Sequence, residues 1–312
     1  MERRWMLQDD EGIADADLRL PCPLRAPVED WIDSWWEESG RPEISVRAEG
    51  HATRHGRPDV HPDPPVLLYP GVSPLRLAAW KSEVDLPDWP PSPNHPLAKL
   101  RDPLHQVAVL CVNPLILVAD EERLGRPAPA SWQELRSPEF EGTLAMRGTG
   151  SSVCETTLLA WDHRFGTDAI VDFRRSVAFA DHPAKIVNFM RDRREGAPKI
   201  AVLPLFFARI LSRHEGIKLV WPSEGAVASP VCLRVENNAT EPAKALAAHL
   251  FGTEFAAVTD GLGMPSCHPD SAGVPEGNTF LWPGWERMRD PRLDEQEQGL
   301  QERFGGSSIP GL

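Results

Sequence analysis

The stretch Met146-Arg147-Gly148-Thr149-Gly150-Ser151-Ser152-Val153-Cys154-Glu155 decides how the rest of the chain is read. An apolar run from Gly142 to Met146 leads into it, and a helix-like run from Thr156 to Phe165 leads out. Glycines at 148 and 150 permit a tight turn and let backbone approach a ligand closely. Ser151 or Ser152 is placed to cap the following helix, whose first N–H groups then face the turn. A strand, a Gly/Ser turn and a helix N-terminus together form an anion-binding corner, although many α/β proteins carry such turns with nothing bound. No Gly-Lys-Ser/Thr follows, so the stretch is not a P-loop.

With 312 residues the chain can bury a large core and divide into two lobes. Its 41% hydrophobic and 25% charged content is that of a soluble globular protein. A formal net charge of −13 argues against nucleic acid and anionic membrane surfaces as partners. It leaves room for a local anion site, because backbone N–H groups and one or two arginines dominate at short range. No run of about 18 apolar residues occurs, so no membrane insertion is expected. No apolar segment of a secretory signal follows Arg3 and Arg4. As written the chain reads as cytoplasmic, and as periplasmic if an export signal was trimmed. The 32 prolines imply many fixed loops. Five widely spaced cysteines do not form a disulfide framework and read as thiols, either core residues or ligands.

Outward from the opening stretch, strand and helix signals alternate. Strands are expected at 17–22, 44–48, 66–69, 199–203, 217–221 and 227–235. Two strand-like runs between His105 and Val118 are broken at Asn113-Pro114. Helices are expected at 27–38, 73–82, 168–177, 183–193, 205–213, 241–251 and 253–259, with a charged surface helix within 286–302. Ser131 with Glu134 three residues later forms a capping box for a short helix. Trp31, Trp35 and Trp36 recur at helical spacing and read as packing residues. The alternation defines an α/β protein with mixed, mostly parallel sheets. Ligands in such sheets bind where strands end and helices begin, which selects the turns after Leu20, Ala48, Tyr69 and Leu203, and the one before Ser151.

Three segments then carry a family resemblance. "PASWQELRSPEFEGTLAMRGTGSS" (Pro129 to Ser152) resembles the second-lobe segment of type II periplasmic solute-binding proteins, with its P-x-[ST]-W-x-[DE]-L helix and Gly/Ser ligand turn. "GIKLVWPSEGAVASPVCLRV" (Gly216 to Val235) resembles the return crossing of the same family, and His105 to Leu117 the outgoing one. Pro242 to Phe255 is similar to its helix pair and Gly261 to Pro265 to the turn that follows. The resemblance covers about 17–269, nearest to the branch of iron, thiamine, polyamine and phosphonate binders. It implies a two-lobed periplasmic-binding-protein-like II fold whose sheets are joined by two crossing strands, with a ligand cleft that closes by hinge bending. Lobe 1 is then 1–106 with 226–312 returning to it, and lobe 2 is 107–225. The tyrosine pair of the iron binders has no counterpart: Pro204-Leu205-Phe206-Phe207 stands there, and Tyr69 is the one tyrosine in the chain.

On this fold the ligand residues from lobe 1 are Cys22, Arg25, His51, Gly71, Ser73 and Cys267, and those from lobe 2 are Gly148, Thr149, Gly150, Ser151 and Ser152. Cys22, His51, Cys267 and His268 are the candidate metal ligands, a thiolate and imidazole set suited to a soft transition metal. No CxxC or HExxH spacing supports that set, and the alternative is that these thiols are small buried hydrophobes. Cys111 and Cys232 read as core, Cys154 as core or ligand. Arg147 can pair an anionic ligand. Two functions follow. The first is a solute-binding protein that closes on an anion, a metal ion or a metal complex, with the membrane component of an ABC transporter as a partner. The second is a cytoplasmic enzyme on the same fold, with Cys22 or Cys267 as nucleophile and His51 or His268 as base.

Overall fold

The computed structural model describes residues 5–6, 14–50, 64–70, 95–149, 152–271 and 273–305. The strands are β1 Ala16–Leu20, β2 Val46–Gly50, β3 Val66–Pro70, β4 Ala108–Asp120, β5 Leu144–Thr149, β6 Ser152–Val153, β7 Val177–Asp181, β8 Ile200–Pro204, β9 Ile217–Val220, β10 Ala226–Val235 and β11 Phe280–Leu281. The α-helices are α1 Arg25–Glu38, α2 Glu121–Leu124, α3 Glu155–Phe165, α4 Ala169–Ser176, α5 Pro183–Arg191, α6 Leu205–Leu211, α7 Glu241–Leu250, α8 Thr253–Gly261, α9 Trp285–Met288 and α10 Leu293–Gly305. Short 3-10 turns at Cys22–Leu24, Gln133–Arg136 and Pro138–Phe140 link them.

The chain forms two compact units. Unit 1 comprises Met1–Val112 and Pro230–Val274, and unit 2 comprises Asn113–Ser229 and Pro275–Leu312. In unit 1, β1 pairs in parallel with β2 and β3, and β3 pairs antiparallel with β10 from Val231 to Val235. Leu18, Leu20, Val46, Val66 and Leu68 from these strands pack with Val28, Ile32 and Trp35 of α1 and with Leu246 and Leu250 of α7. Trp31 stacks on His249 with ring centroids 4.4 Å apart, so the tryptophans of α1 are packing residues as their spacing predicts. In unit 2, β5 pairs in parallel with β7 and β8, while β4 pairs antiparallel with β8 and β9. Ile116, Val118, Ala145, Ile186, Met190, Ala201, Leu203 and Leu211 form its core.

Three sequence expectations are corrected. First, β4 runs unbroken through Asn113-Pro114. Proline has no N–H to give a ladder, and Pro114 stands where β4 changes partners. Cys111 bridges Ser266 and the Val112 N–H donates to the Pro265 carbonyl at 2.9 Å, whereas pairing with β8 begins at Leu115. Pro230 stands at the equivalent place in β10, between its pairing with β11 at Ala226 and Val227 and its pairing with β3 from Val231.

Second, 226–312 does not return whole to the first lobe. Residues 275–312 belong to unit 2, and 107–112 to unit 1. The C-terminal helix α10 packs on α3 and α4 and buries Leu300 and Phe304, and Arg287 of α9 forms an ion pair with Asp162 of α3. Third, no serine side chain caps α3. Cys154 is its N-cap, without a side-chain cap bond. Ser152 and Val153 instead fold back as an antiparallel strand on β5, with Thr149 opposite Ser152 and Gly148 opposite Val153.

The segments that carry the family resemblance are bonded to each other inside unit 2. Trp132 is fully buried, and its indole N–H donates to the Gly225 carbonyl at 2.8 Å. The Glu224 carboxylate accepts from the backbone N–H groups of Trp132 and Gln133, both at 3.1 Å. A negative charge there stabilises the start of a helical turn. Gly225 has φ +106°, and a Cβ on it would lie 2.7 Å from the Phe280 carbonyl carbon, so no other residue fits. Half of the Ser131–Glu134 capping box forms: the Glu134 N–H donates to Ser131 Oγ at 3.2 Å, while the Glu134 carboxylate accepts the Ala130 N–H at 3.2 Å instead of that of Ser131.

Candidate functional site

Three parallel strands of unit 2, β5, β7 and β8, end at the same edge, and each leads towards a helix start. Such an edge is where ligands bind in α/β sheets. β5 delivers Arg147, Gly148 and Thr149 there. The Cys154 N–H donates to the Arg147 carbonyl at 2.9 Å and continues the β5–β6 hairpin. Gly148 is buried, Arg147 is half-buried, and Thr149 and Ser152 are placed by their backbone. Gly150 and Ser151 lie outside the described residues.

β7 delivers Asp181 and His182, a contribution the sequence reading missed. The sequence pattern predicts no strand at 177–181, although a short apolar run followed by His182-Pro183 at a helix start is a signal for one. Asp181 is the ladder neighbour of Arg147, and its carboxylate accepts from Lys185 Nζ at 3.1 Å. His182 is the N-cap of α5, its Nδ1 accepting the Ala184 N–H at 3.2 Å. Partial burial, and then the Arg147 guanidinium, hold the imidazole below the usual histidine range. The ring is therefore neutral near pH 7, and with Nδ1 as acceptor the proton sits on Nε2, a hydrogen-bond donor. β8 ends in Pro204, and Phe206 and Phe207 follow in the first turn of α6. The Phe207 ring lies 6.3 Å from His182 and edge-on to it. The edge thus combines one guanidinium, one imidazole donor, the paired backbone of Gly148–Thr149 and Ser152–Val153, and an aromatic flank. That donor set suits an anion with an apolar or sugar-like body.

In unit 1, Cys22 is exposed and opens the turn after β1. Arg25 starts α1 and its guanidinium pairs with Glu29 at 2.8 Å. His51, Gly71 and Ser73 lie outside the described residues. Cys267 does not meet its expectation. It is fully buried, and its N–H donates to the Leu110 carbonyl at 2.8 Å. Burial pushes its thiol far above the usual range. Such a thiol is neither nucleophile nor ready metal ligand, because the bridge between Cys111 and Ser266 draws this segment into the core. His268 is also buried, its Nδ1 accepting the Asp270 N–H at 3.1 Å. Among the described residues no group of three His, Cys, Asp or Glu side chains is arranged to hold a metal ion. Cys111 and Cys232 are core residues as expected, and Cys154 is buried too.

These exposures set a labelling result. At neutral pH in native buffer a thiol reagent is expected to add once per chain, at Cys22, and five times after denaturation. Intact mass spectrometry with peptide mapping checks this, and rapid native labelling of Cys267 would contradict its placement.

Behind the hairpin, Glu297 of α10 faces Glu155, the first residue of α3. Burial, then Glu155 and Asp294, push the Glu297 carboxyl up to about 7. A carboxyl raised in the folded state favours the protonated form. Its contribution to stability is present below the ordinary value of 4.5 and is lost as pH rises through about 7. Screening by solvent reduces the full linkage, leaving about 1–2 kcal/mol. Denaturant melts at pH 5 and pH 8 are expected to show this loss in the parent and a smaller one in Glu297→Gln.

Two α/β units, with β4 and β10 each contributing to both, define the type II class of solute-binding proteins. The chain belongs to the bacterial extracellular solute-binding protein family, whose model matches residues 81–291. Among solved structures it is similar to the periplasmic binding protein AfuA from Actinobacillus pleuropneumoniae with exogenous fructose-6-phosphate bound (12% identity, TM-score 0.69, 96% of this chain and 100% of that one). The ferric binding protein from Campylobacter jejuni (12%, 0.68, 93% and 98%) and the Trichodesmium protein in complex with iron and citrate (15%, 0.61, 94% and 98%) share the fold as well. A search among curated proteins finds no sequence match. No helix among the described residues is long and apolar enough to cross a membrane.

Proposed function

We propose that this solute-binding protein takes a small polyanion, a sugar phosphate or a multiply carboxylated acid, and holds its charged group at the β5–β7–β8 edge of unit 2. The observation that carries this reading is the placement of Arg147 on β5 and of the neutral His182 directly after β7, its parallel neighbour, beside the paired arms Gly148–Thr149 and Ser152–Val153. The guanidinium supplies charge and a planar fork of donors, and the imidazole Nε2 supplies an uncharged donor. Phe206 and Phe207 offer the apolar flank that the body of a sugar or an aliphatic acid packs on. AfuA with fructose-6-phosphate and the Trichodesmium protein with iron and citrate are compatible relatives in fold. The one tyrosine, Tyr69, lies half-buried under the Arg19 guanidinium, 5.7 Å from its ring centroid, and argues for the anion over a phenolate-bound ferric ion. Membership of an extracellular family supports action outside the cytoplasmic membrane, with the membrane component of an ABC transporter as partner.

A thermal-shift screen with inorganic phosphate, fructose 6-phosphate, citrate and ferric citrate, against neutral sugars and free metal ions, tests the reading. At about a hundredfold excess over Kd, a true ligand adds roughly 2.7 kcal/mol of stability. A response to neutral sugars or bare cations with none to the polyanions would defeat it.

A further inference from the structure

The edge strand β6 has a partner from far along the chain. In the β5–β6 hairpin, Arg147 and Cys154 form the hydrogen-bonded pair, so Gly148 and Val153 form the non-bonded one. The N–H and C=O of Val153 therefore point away from β5. Both are satisfied by one side chain. The Val153 N–H donates to Gln301 Oε1 at 3.1 Å, and Gln301 Nε2 donates to the Val153 carbonyl at 2.7 Å. A primary amide oriented in this way reproduces the donor and acceptor of a neighbouring strand. Gln301 sits on α10, which is anchored independently through buried Leu293, Leu300 and Phe304. It lies beyond residues 81–291, the stretch the family model matches.

We propose that Gln301 is the positioning residue of the β5–β6 pair, holding β6 in register on β5 so that the Gly148–Thr149 and Ser152–Val153 backbone is set before any ligand arrives. A buried backbone pair at the end of a two-residue strand has few other ways to be satisfied. With Gln301 in place, the paired arms of the hairpin are fixed at little ordering cost on binding. That the hairpin contacts the ligand rests on the function proposed above. That Gln301 holds the hairpin does not.

Hydrogen exchange followed by mass spectrometry on the full chain, without ligand, tests the placement. In Gln301→Ala and Gln301→Leu, a peptide covering 146–154 is expected to exchange roughly tenfold faster, while peptides within 155–165 and 177–191 keep their protection. Gln301→Glu keeps the acceptor for the Val153 N–H and loses the donor, so its exchange is expected to fall between. Unchanged exchange at 146–154 in both the alanine and leucine variants overturns the proposal. Acceleration spread evenly over unit 2 also overturns it, because α10 would then act as general scaffold. Fructose 6-phosphate and citrate provide the second readout: each that binds the parent should bind Gln301→Ala about tenfold more weakly, with the melting temperature in their absence little changed. A local exchange effect in a protein that binds no polyanion would leave the clamp standing and remove the proposed function.

Discussion

Replacing Trp132 by alanine is expected to destabilise unit 2 by about 3–5 kcal/mol, the range for deleting a fully buried aromatic side chain. The indole has no exposed surface and stands at 5.7 Å and edge-on to Trp161, which in turn stacks on Phe173 at 4.1 Å. Alanine leaves a cavity at the head of this row and strips the Gly225 carbonyl of its donor. Phenylalanine fills most of the space and loses the hydrogen bond, so its cost should be smaller. Urea unfolding with far-UV circular dichroism measures both. A Trp132→Ala cost below about 1 kcal/mol would mean that the link between the 129–136 turn and the 222–225 turn does not hold unit 2 together. Glu224→Gln, which keeps an acceptor but removes the charge from the Trp132 and Gln133 N–H groups, should cost less than either.

Arg147→Ala is expected to weaken binding of a polyanion roughly 10- to 100-fold, the loss of one charge-assisted contact of about 1.5–3 kcal/mol. Titration calorimetry with whichever polyanion answers the thermal-shift screen measures it. The same variant has a readout that needs no ligand. Arg147 helps to keep the His182 imidazole below the usual range, after partial burial. Removing the guanidinium removes a cause that lowers, so the imidazole pKa should rise, and proton NMR of the histidine ring follows it directly. An unmoved titration would show that Arg147 does not face β7, and unaltered affinity would show that the anion is held elsewhere. Lys at 147 keeps the charge and loses the fork, and is expected to recover the titration better than the affinity.

Much of this protein could be read from the sequence for local reasons. Strand and helix positions followed apolar period and punctuation: Pro27 near the start of α1 and Ser131 three residues before Glu134 both act within a few residues. The two-lobed class was legible because its motifs include residues with no substitute in their places, Trp132 and Gly225 above all. What was not legible depended on contacts distant in sequence. Cys267 lies on a loop by composition and in the core by its pairing beside Cys111. Ser152 looks like a helix cap until β6 folds back on β5. The tail from Pro275 looks like a continuation of the first lobe until α10 meets α3 and α4. His182 gains meaning only when β7 sets it beside Arg147. The sequence by itself determined the class of fold, because that is written in short-range pattern. Which side chains stand around the β5–β6 hairpin, and that Gln301 holds it from 148 residues away, were decided by tertiary structure alone. Strand pairing and burial join residues that no spacing rule connects.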